Sequence, residues 1–248
     1  MNVPSTGDFE VAARQALVRA DVHPPRTGEV VVVLLQTPDW LHWLPAAMDA
    51  LVPDERARAA RFRFEADRTT YALAHAVWRI LLGHCLGVAR AAVPLQFSRS
   101  GQPQLPGTPL ATSLSHSGEA VLLGVGRVAA LGVDIEGTPP RMALRDLIST
   151  LCTPDEAAAL RALPDAAQEP ALLQLWTRKE ALLKAFGTGL AQAPASIAAP
   201  AGGLVAAPPG VDAPACRARD LCLPAGWLGA WAAPASARCC RLHVAGRE

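Results

Sequence analysis

The tripeptide Pro-Asp-Glu occurs twice, at Pro53-Asp54-Glu55 and Pro154-Asp155-Glu156. Each copy opens an amphipathic stretch that reaches a tryptophan–arginine signature downstream, Trp78-Arg79 and Trp176-Thr177-Arg178. Proline at the first helical position followed by acids is helix-start chemistry, and Thr153 adds an N-cap hydroxyl to the second copy. A period of about 100 residues is too long for a solenoid and fits two related subdomains meeting at a cleft, where ligands bind. The expected fold is α+β: two pseudo-symmetric α/β subdomains, residues 1–125 and 126–248, with the active site at their interface. A chain of 248 residues accommodates either one large domain or two smaller ones.

Strand signals lie between the helical stretches. Val30 to Leu35 reads as a buried strand, and Ala120 to Val128 then Ala129 to Glu136 as consecutive strands turning near Gly126-Arg127. Gly137-Thr138-Pro139-Pro140 breaks the pattern, and 191–215, rich in Ala, Pro and Gly, reads as irregular connection with one short strand. Trp227 to Trp231 and Cys239 to Val244 are the last expected strands.

Composition removes several function classes. With 51% hydrophobic residues and 23 basic against 22 acidic side chains, the chain is too apolar for a disordered polyelectrolyte and lacks the basic excess that grips nucleic acid. Its longest early apolar run is far short of the roughly 20 residues a membrane span needs, and Asp8 and Glu10 stand where an export signal would be basic and then apolar. A cytoplasmic protein is expected, without membrane or nucleic-acid partner. Cys85, Cys152, Cys216, Cys222, Cys239 and Cys240 form no CxxC pair or regular framework and read as reduced thiols. A zinc site drawn from Cys216, Cys222, Cys239 or Cys240 and His243 is the minority alternative, because its spacings match no zinc pattern.

Of the 23 basic residues 21 are arginine, and the two lysines, Lys179 and Lys184, share one segment running from Trp176 to Leu190. Lysine is a compact, strongly hydrated point charge where arginine is a planar fork, so two lysines together in such a background mark a site that needs the compact cation. On a helical projection Leu172, Leu175, Leu182, Leu183 and Phe186 fall in an apolar arc of about 120°, with Lys179 inside it and Glu180 and Lys184 just past its Trp176 edge. A lysine inside such an arc requires an anion or a path to water. The bland reading of Glu180 and Lys184 is an ordinary i,i+4 pair contributing about 0.2–0.5 kcal/mol.

In Gly132-Val133-Asp134-Ile135-Glu136, strand alternation points Asp134 and Glu136 to one face while Val133 and Ile135 enter the core. Paired carboxylates suit a hard cation such as Mg²⁺, although a strand ending on two solvated acids is also ordinary surface. Upstream, Arg99-Ser100-Gly101-Gln102-Pro103 and Ser113-Leu114-Ser115-His116-Ser117 gather hydroxyls, a histidine and an arginine suited to phosphate. No G-x-S-x-G elbow, P-loop or dinucleotide fingerprint is present, which disfavours a serine hydrolase and the common nucleotide folds.

Taken together, Gly101-Gln-Pro103, Ser113-Leu-Ser-His-Ser117, Gly132-Val-Asp-Ile-Glu136 and Trp176-Thr-Arg-Lys-Glu-Ala-Leu-Leu-Lys184 with Gly187-Thr-Gly-Leu190 resemble, in order and spacing, the 4′-phosphopantetheinyl transferases. The similarity covers about residues 50 to 190 and is to the larger, surfactin-synthetase-type branch, monomeric with two pseudo-repeated halves. That family moves the phosphopantetheine arm of coenzyme A to a serine of an acyl or peptidyl carrier protein, with Mg²⁺, and leaves adenosine 3′,5′-bisphosphate. The resemblance implies Asp134, Glu136 and Glu180 as metal carboxylates, Glu180 also as base, and Lys184 as the catalytic cation on the coenzyme A phosphates with Lys179 near them. It implies coenzyme contacts from Ser115, His116, Arg58, Arg61 and the 99–103 segment, namely Arg99, Ser100, Gly101, Gln102 and Pro103. Many members carry lysine where Gln102 stands; Arg99 or Arg68 is the expected substitute. Two alternatives stay open, a non-catalytic coenzyme A or nucleotide-binding module and a Mg²⁺-dependent phosphoesterase.

Overall fold

The computed structural model describes residues 4–140 and 144–246. Its helices are α1 (Thr6–Arg19), α2 (Leu44–Ala50), α3 (Pro53–Ala59), α4 (Glu65–Leu86), α5 (Ile148–Leu151), α6 (Pro154–Arg161) and α7 (Asp165–Phe186). Its strands are β1 (Glu29–Gln36), β2 (Gln96–Phe97), β3 (Pro103–Gln104), β4 (Ala111–Ser117), β5 (Ala120–Gly126), β6 (Gly132–Gly137), β7 (Leu204–Val205), β8 (Cys216–Asp220), β9 (Trp227–Pro234) and β10 (Cys239–Ala245). Two four-stranded sheets carry the fold, ordered β10-β1-β5-β4 and β6-β9-β8-β7.

Three apolar clusters order these elements into layers. Phe9 of α1, Ala46 of α2 and much of α4 pack on Val31, Val33 and Leu35, one face of the first sheet. Val30, Val32, Leu34 and Leu122 on its other face meet Val133, Ile135 and Trp231 of the second sheet. The far face of that second sheet, Ala218, Ala230 and Ala232, receives Leu172, Leu182 and Phe186 of α7. β1 is an unbroken aliphatic run because both of its faces are covered, and a strand with no wet face has no need to alternate.

The expected strands at Val30, Trp227 and Cys239 form, as does one short strand, β7, inside the 191–215 connection. The segments at 120–128 and 129–136 become β5 and β6, but they do not pair with each other: each lies in a different sheet. β10 returns to the first sheet, parallel to β1, so a division at residue 125 leaves one strand of that sheet in the second half. β8, which alternates buried Cys216 and Ala218 with arginines, was not expected, its charge content masking a half-buried strand.

The two Pro-Asp-Glu segments make the same contact twice. Each opens a short helix, α3 or α6, that precedes a 22-residue helix, α4 or α7, ended by a left-handed glycine, Gly87 or Gly187. In the first, the Glu55 carboxylate accepts from Arg79 Nε at 2.8 Å, both groups being buried. In the second, Glu156 lies 2.7 Å from Lys179 Nζ and also accepts from the Thr153 and Ala199 backbone N–H groups. Each pair ties a short helix to the long one after it. Burial pushes the Glu55 carboxyl up, but His75 and Arg79 outweigh it and hold the group below its ordinary value.

Gly132 lets α7 lie directly on β6. A Cβ there would overlap the Ala181 carbonyl oxygen and come within 2.7 Å of the Ala185 nitrogen. That approach brings the Glu180–Lys184 turn of α7 over the acids of β6.

Glu55→Gln strips the anion from a buried guanidinium, and loss of one partner of a buried pair costs about 3–5 kcal/mol. Urea unfolding at neutral pH is expected to show the midpoint falling accordingly with the slope unchanged. Because the folded carboxyl sits below the ordinary 4.5, this contribution is full above that value and is lost as pH falls through the folded pKa, so the gap between the two proteins narrows in acid.

Candidate active site

The first sheet ends at β4 and the second at β6, and these two edges run alongside each other with serine side chains bridging them. Alternation puts Ser113, Ser115 and Ser117 on one face of β4. Ser113 Oγ accepts from the Val133 N–H at 3.1 Å, and Ser117 Oγ accepts from the Gly137 N–H at 3.3 Å. Ser115 and Ser117 also donate to the acids of β6, Ser115 to Asp134 Oδ1 at 2.7 Å and Ser117 to Glu136 Oε2 at 2.8 Å.

Lys184 closes this arrangement from α7. Its Nζ lies 2.7 Å from Asp134 Oδ1 and donates to Ser115 Oγ at 2.9 Å and to the Val133 carbonyl at 3.2 Å. Asp134 is buried, and Lys184 is partly so. One ammonium group therefore touches both sheets from a helix that packs on only one.

Glu180, one turn before Lys184, faces the same region. Burial, then the Asp134 charge, with Glu136 adding to it, push its carboxyl up to about 7, against the pull of Lys184. Glu136 is also raised, by burial first and by Asp134, while the hydrogen bonds from Ser117 and from Trp176 Nε1, at 3.3 Å, oppose the shift. Two carboxylates raised by their acidic neighbours mark a site short of positive charge.

Among the described residues no three His, Cys, Asp or Glu side chains are grouped so as to hold a metal ion as they stand. The zinc alternative accordingly does not form: all six cysteines are free, Cys216 and Cys239 lie in different sheets, and His243 Nδ1 meets the Ala20 carbonyl. The acidic set has the donor chemistry for a hard cation nonetheless. Asp134 Oδ2 and Glu180 Oε1 are buried with no hydrogen-bond partner, a costly state for carboxylate oxygens that a cation relieves.

Beside this cluster opens a cleft of about 240 Å³, lined by Lys184, Gly187 and Gly189 from one side and by Arg58, His75, Trp78, Phe97 and the 100–103 segment from the other. His75 is stacked on Tyr71 with ring centroids 3.9 Å apart and meets Trp78 edge-on, which makes one wall aromatic. Burial lowers the His75 pKa, so this wall is neutral near pH 7 despite its contact with Glu55. Gln102, the departure from lysine, packs on Gly187, and its Nε2 donates to the Lys184 carbonyl at 3.3 Å. It caps the C-terminus of α7 and ties the cleft loop to the lysine-bearing turn.

The residues singled out from sequence divide accordingly. Asp134, Glu136, Glu180, Lys184 and Ser115 come together, and Arg58, Ser100, Gly101, Gln102 and Pro103 line the adjoining cleft. Arg61 and Arg99 are exposed and do not line it, and Arg68 faces Glu65 on the surface at 3.7 Å. His116 is exposed on the opposite face of β4 from Ser115; partial burial and the Lys184 charge hold its pKa below the ordinary imidazole value.

Lys179 is a correction. Its side chain is fully buried, and its Nζ is held by Glu156 and by the Pro194 and Ile197 carbonyls. Five residues of helix turn it about 140° from Lys184, away from the cleft. The groups that sequence reasoning missed are Ser117, the indole N–H of Trp176 and the His75–Phe97 wall. For Ser117 the available signal was the i,i+2 spacing that matches it to Glu136 as Ser115 matches Asp134.

Residues 130–200, which include the acids of β6 and all of α7, match the family model described as the 4′-phosphopantetheinyl transferase superfamily. The chain is 35% identical over 146 residues to the 4′-phosphopantetheinyl transferase HetI of Nostoc sp. (strain PCC 7120), covering 57% of this chain and 62% of that one. It is 27% identical to a putative 4′-phosphopantetheinyl transferase of Synechocystis sp. (strain PCC 6803), covering 59% and 61%. With a phosphopantetheinyl transferase of Thraustochytrium sp. it shares 34% identity, covering 56% and 54%. The matches thus span 54–62% of the length of these curated relatives. Over the matched part of its length the chain is thus similar to members of the 4′-phosphopantetheinyl transferase superfamily, with no branch of it singled out.

Proposed function

We propose that this protein transfers the 4′-phosphopantetheine group of coenzyme A to a serine of an acyl or peptidyl carrier protein, in a Mg²⁺-dependent reaction. The observation that carries the reading is the meeting of Asp134, Glu136, Glu180 and Lys184, drawn from β6 and α7, at the edge of a cleft whose other wall comes from Arg58, His75 and the 100–103 segment. The repeated helix pairs favour the larger branch, two pseudo-symmetric halves in one monomer with the site between them.

The residues divide the work by their chemistry. Asp134, Glu136 and Glu180 would hold magnesium, which supplies neutralisation of charge on the bridging and leaving oxygens of the diphosphate. Lys184, at the cleft edge, offers its ammonium group to the same diphosphate, and Arg58 offers a guanidinium from the opposite wall. The aromatic wall receives a flat or apolar part of the coenzyme. The enzyme provides no nucleophile. The carrier serine oxygen bonds to the phosphorus of the phosphopantetheine phosphate, the bond from that phosphorus to the bridging oxygen breaks, and adenosine 3′,5′-bisphosphate leaves. Glu180, an acid one turn from Lys184 at this site, takes the serine proton.

Intact-mass measurement after incubation with coenzyme A, Mg²⁺ and an apo carrier protein tests the reading: the carrier gains one phosphopantetheine. Free phosphopantetheine with an unmodified carrier would point to a phosphoesterase, and coenzyme A binding without turnover to a non-catalytic module.

Glu180→Gln should lower transfer by at least about 100-fold, the usual scale for losing a general base. It should leave the melting temperature unchanged or higher, since it removes a buried charge that two neighbouring acids oppose. Normal turnover by that variant would remove Glu180 from the mechanism. Lys184→Ala deletes a charged hydrogen-bond donor and is expected to weaken coenzyme A binding or slow transfer by about tenfold or more. Calorimetry and initial rates that both match the parent would refute that role.

A further inference from the structure

Ser117 takes no part in the chemistry proposed above, yet its hydroxyl, on β4, is shared between a backbone N–H and an acid of the neighbouring strand β6. It accepts from the Gly137 N–H at 3.3 Å and donates to Glu136 Oε2 at 2.8 Å, while Trp176 Nε1 donates to Glu136 Oε1 at 3.3 Å. Both carboxylate oxygens are thereby engaged, one from the first sheet through β4 and one from α7. Glu136 is half-buried, and a carboxylate with two fixed donors has its plane and rotamer set before any ligand arrives. Asp134, by contrast, is held through Oδ1 alone and keeps Oδ2 unpaired.

We infer that Ser117 is a positioning residue for the acidic site: by orienting Glu136 across the seam between the two sheets, it sets the affinity for the divalent cation. The inference rests on the transferase reading only for the identity of the reaction that the cation serves. A hydroxyl in the outer shell of a metal-binding carboxylate typically affects metal affinity by 10–100-fold. Alanine at 117 removes the donor to Glu136 and leaves the Gly137 N–H without its acceptor, so stability and site geometry need separate readouts. Cysteine keeps the volume with a weaker donor, and threonine keeps the hydroxyl on a side chain that strands accept.

The experiment is a Mn²⁺ titration followed by electron paramagnetic resonance with coenzyme A present and no carrier protein, run beside thermal melts and the carrier mass assay. Ser117→Ala and Ser117→Cys should each raise the Mn²⁺ dissociation constant, the alanine variant by about tenfold or more, and Ser117→Thr should stay within about threefold of the parent. If the cysteine variant melts like the parent and binds Mn²⁺ equally well, the inference is overturned. So it is if the parent binds no Mn²⁺. Should the parent bind Mn²⁺, the variants lose it and no carrier be modified by any of them, the transferase reading fails and the role of Ser117 stands.

Discussion

The Lys184 ammonium group is the point on which the site depends. Among the described residues it pairs with Asp134, whose charge raises the proton affinity of Glu136 and Glu180 beside it, and it reaches Ser115 and the Val133 carbonyl at the same time. Without a counter-charge, acids this close and this buried would take up protons, as the position of Glu180 near 7 already indicates. Lys184 meets part of the deficit, and the unpartnered Asp134 Oδ2 and Glu180 Oε1 mark what is left. The proposed cation binding would draw on this imbalance, because acids fully paired by the protein would have no reason to bind a cation.

Holding that imbalance requires a rigid frame. The two glutamate–cation contacts, Glu55 with Arg79 and Glu156 with the buried Lys179, fix each long helix to the short helix before it. The second matters directly to the site, since α7 carries Glu180 and Lys184 on one side and is locked through Lys179 on the other. Lysine works there because its flexible stem delivers one compact charge to Glu156 and to two backbone carbonyls. The two lysines of this chain therefore stand for separate reasons, one structural and one at the site. Gly132 completes the frame by letting the helix backbone come within contact of β6.

Much of this was legible in the sequence, and its limits are physical. Alternation in Gly132 to Glu136 correctly assigned Val133 and Ile135 to the core and the two acids to the other face. The helical projection placed Lys179 inside the apolar arc, which is where it lies; family resemblance alone drew it towards the phosphates. Thr153 forms the expected cap, its hydroxyl accepting from Glu156 at 3.3 Å. Hidden from sequence were the contacts that join distant segments. The i,i+2 spacing of the β4 serines matches that of the β6 acids, but it does not say that the two strands lie side by side, because they share no backbone ladder whose register could be read. The return of β10 to β1 was hidden for the same reason, since parallel pairing across more than two hundred residues leaves no turn signal.

A seam of side chains in place of a backbone ladder has a chemical consequence. In a ladder the outward N–H groups of β6 would be satisfied by carbonyls, which can only accept. Serine hydroxyls accept from those N–H groups and still have a proton to donate. Ser117 uses both capacities, on the Gly137 N–H and on Glu136. Ser115, opposite Asp134, accepts instead from Lys184 and donates to the acid. Hydroxyls in place of carbonyls thus satisfy the strand edge through Ser113 and Ser117 and supply oriented donors to the two acids through Ser115 and Ser117, with Ser117 alone doing both. The first sheet contributes none of the acids, yet through β4 it takes part in fixing how two of them stand.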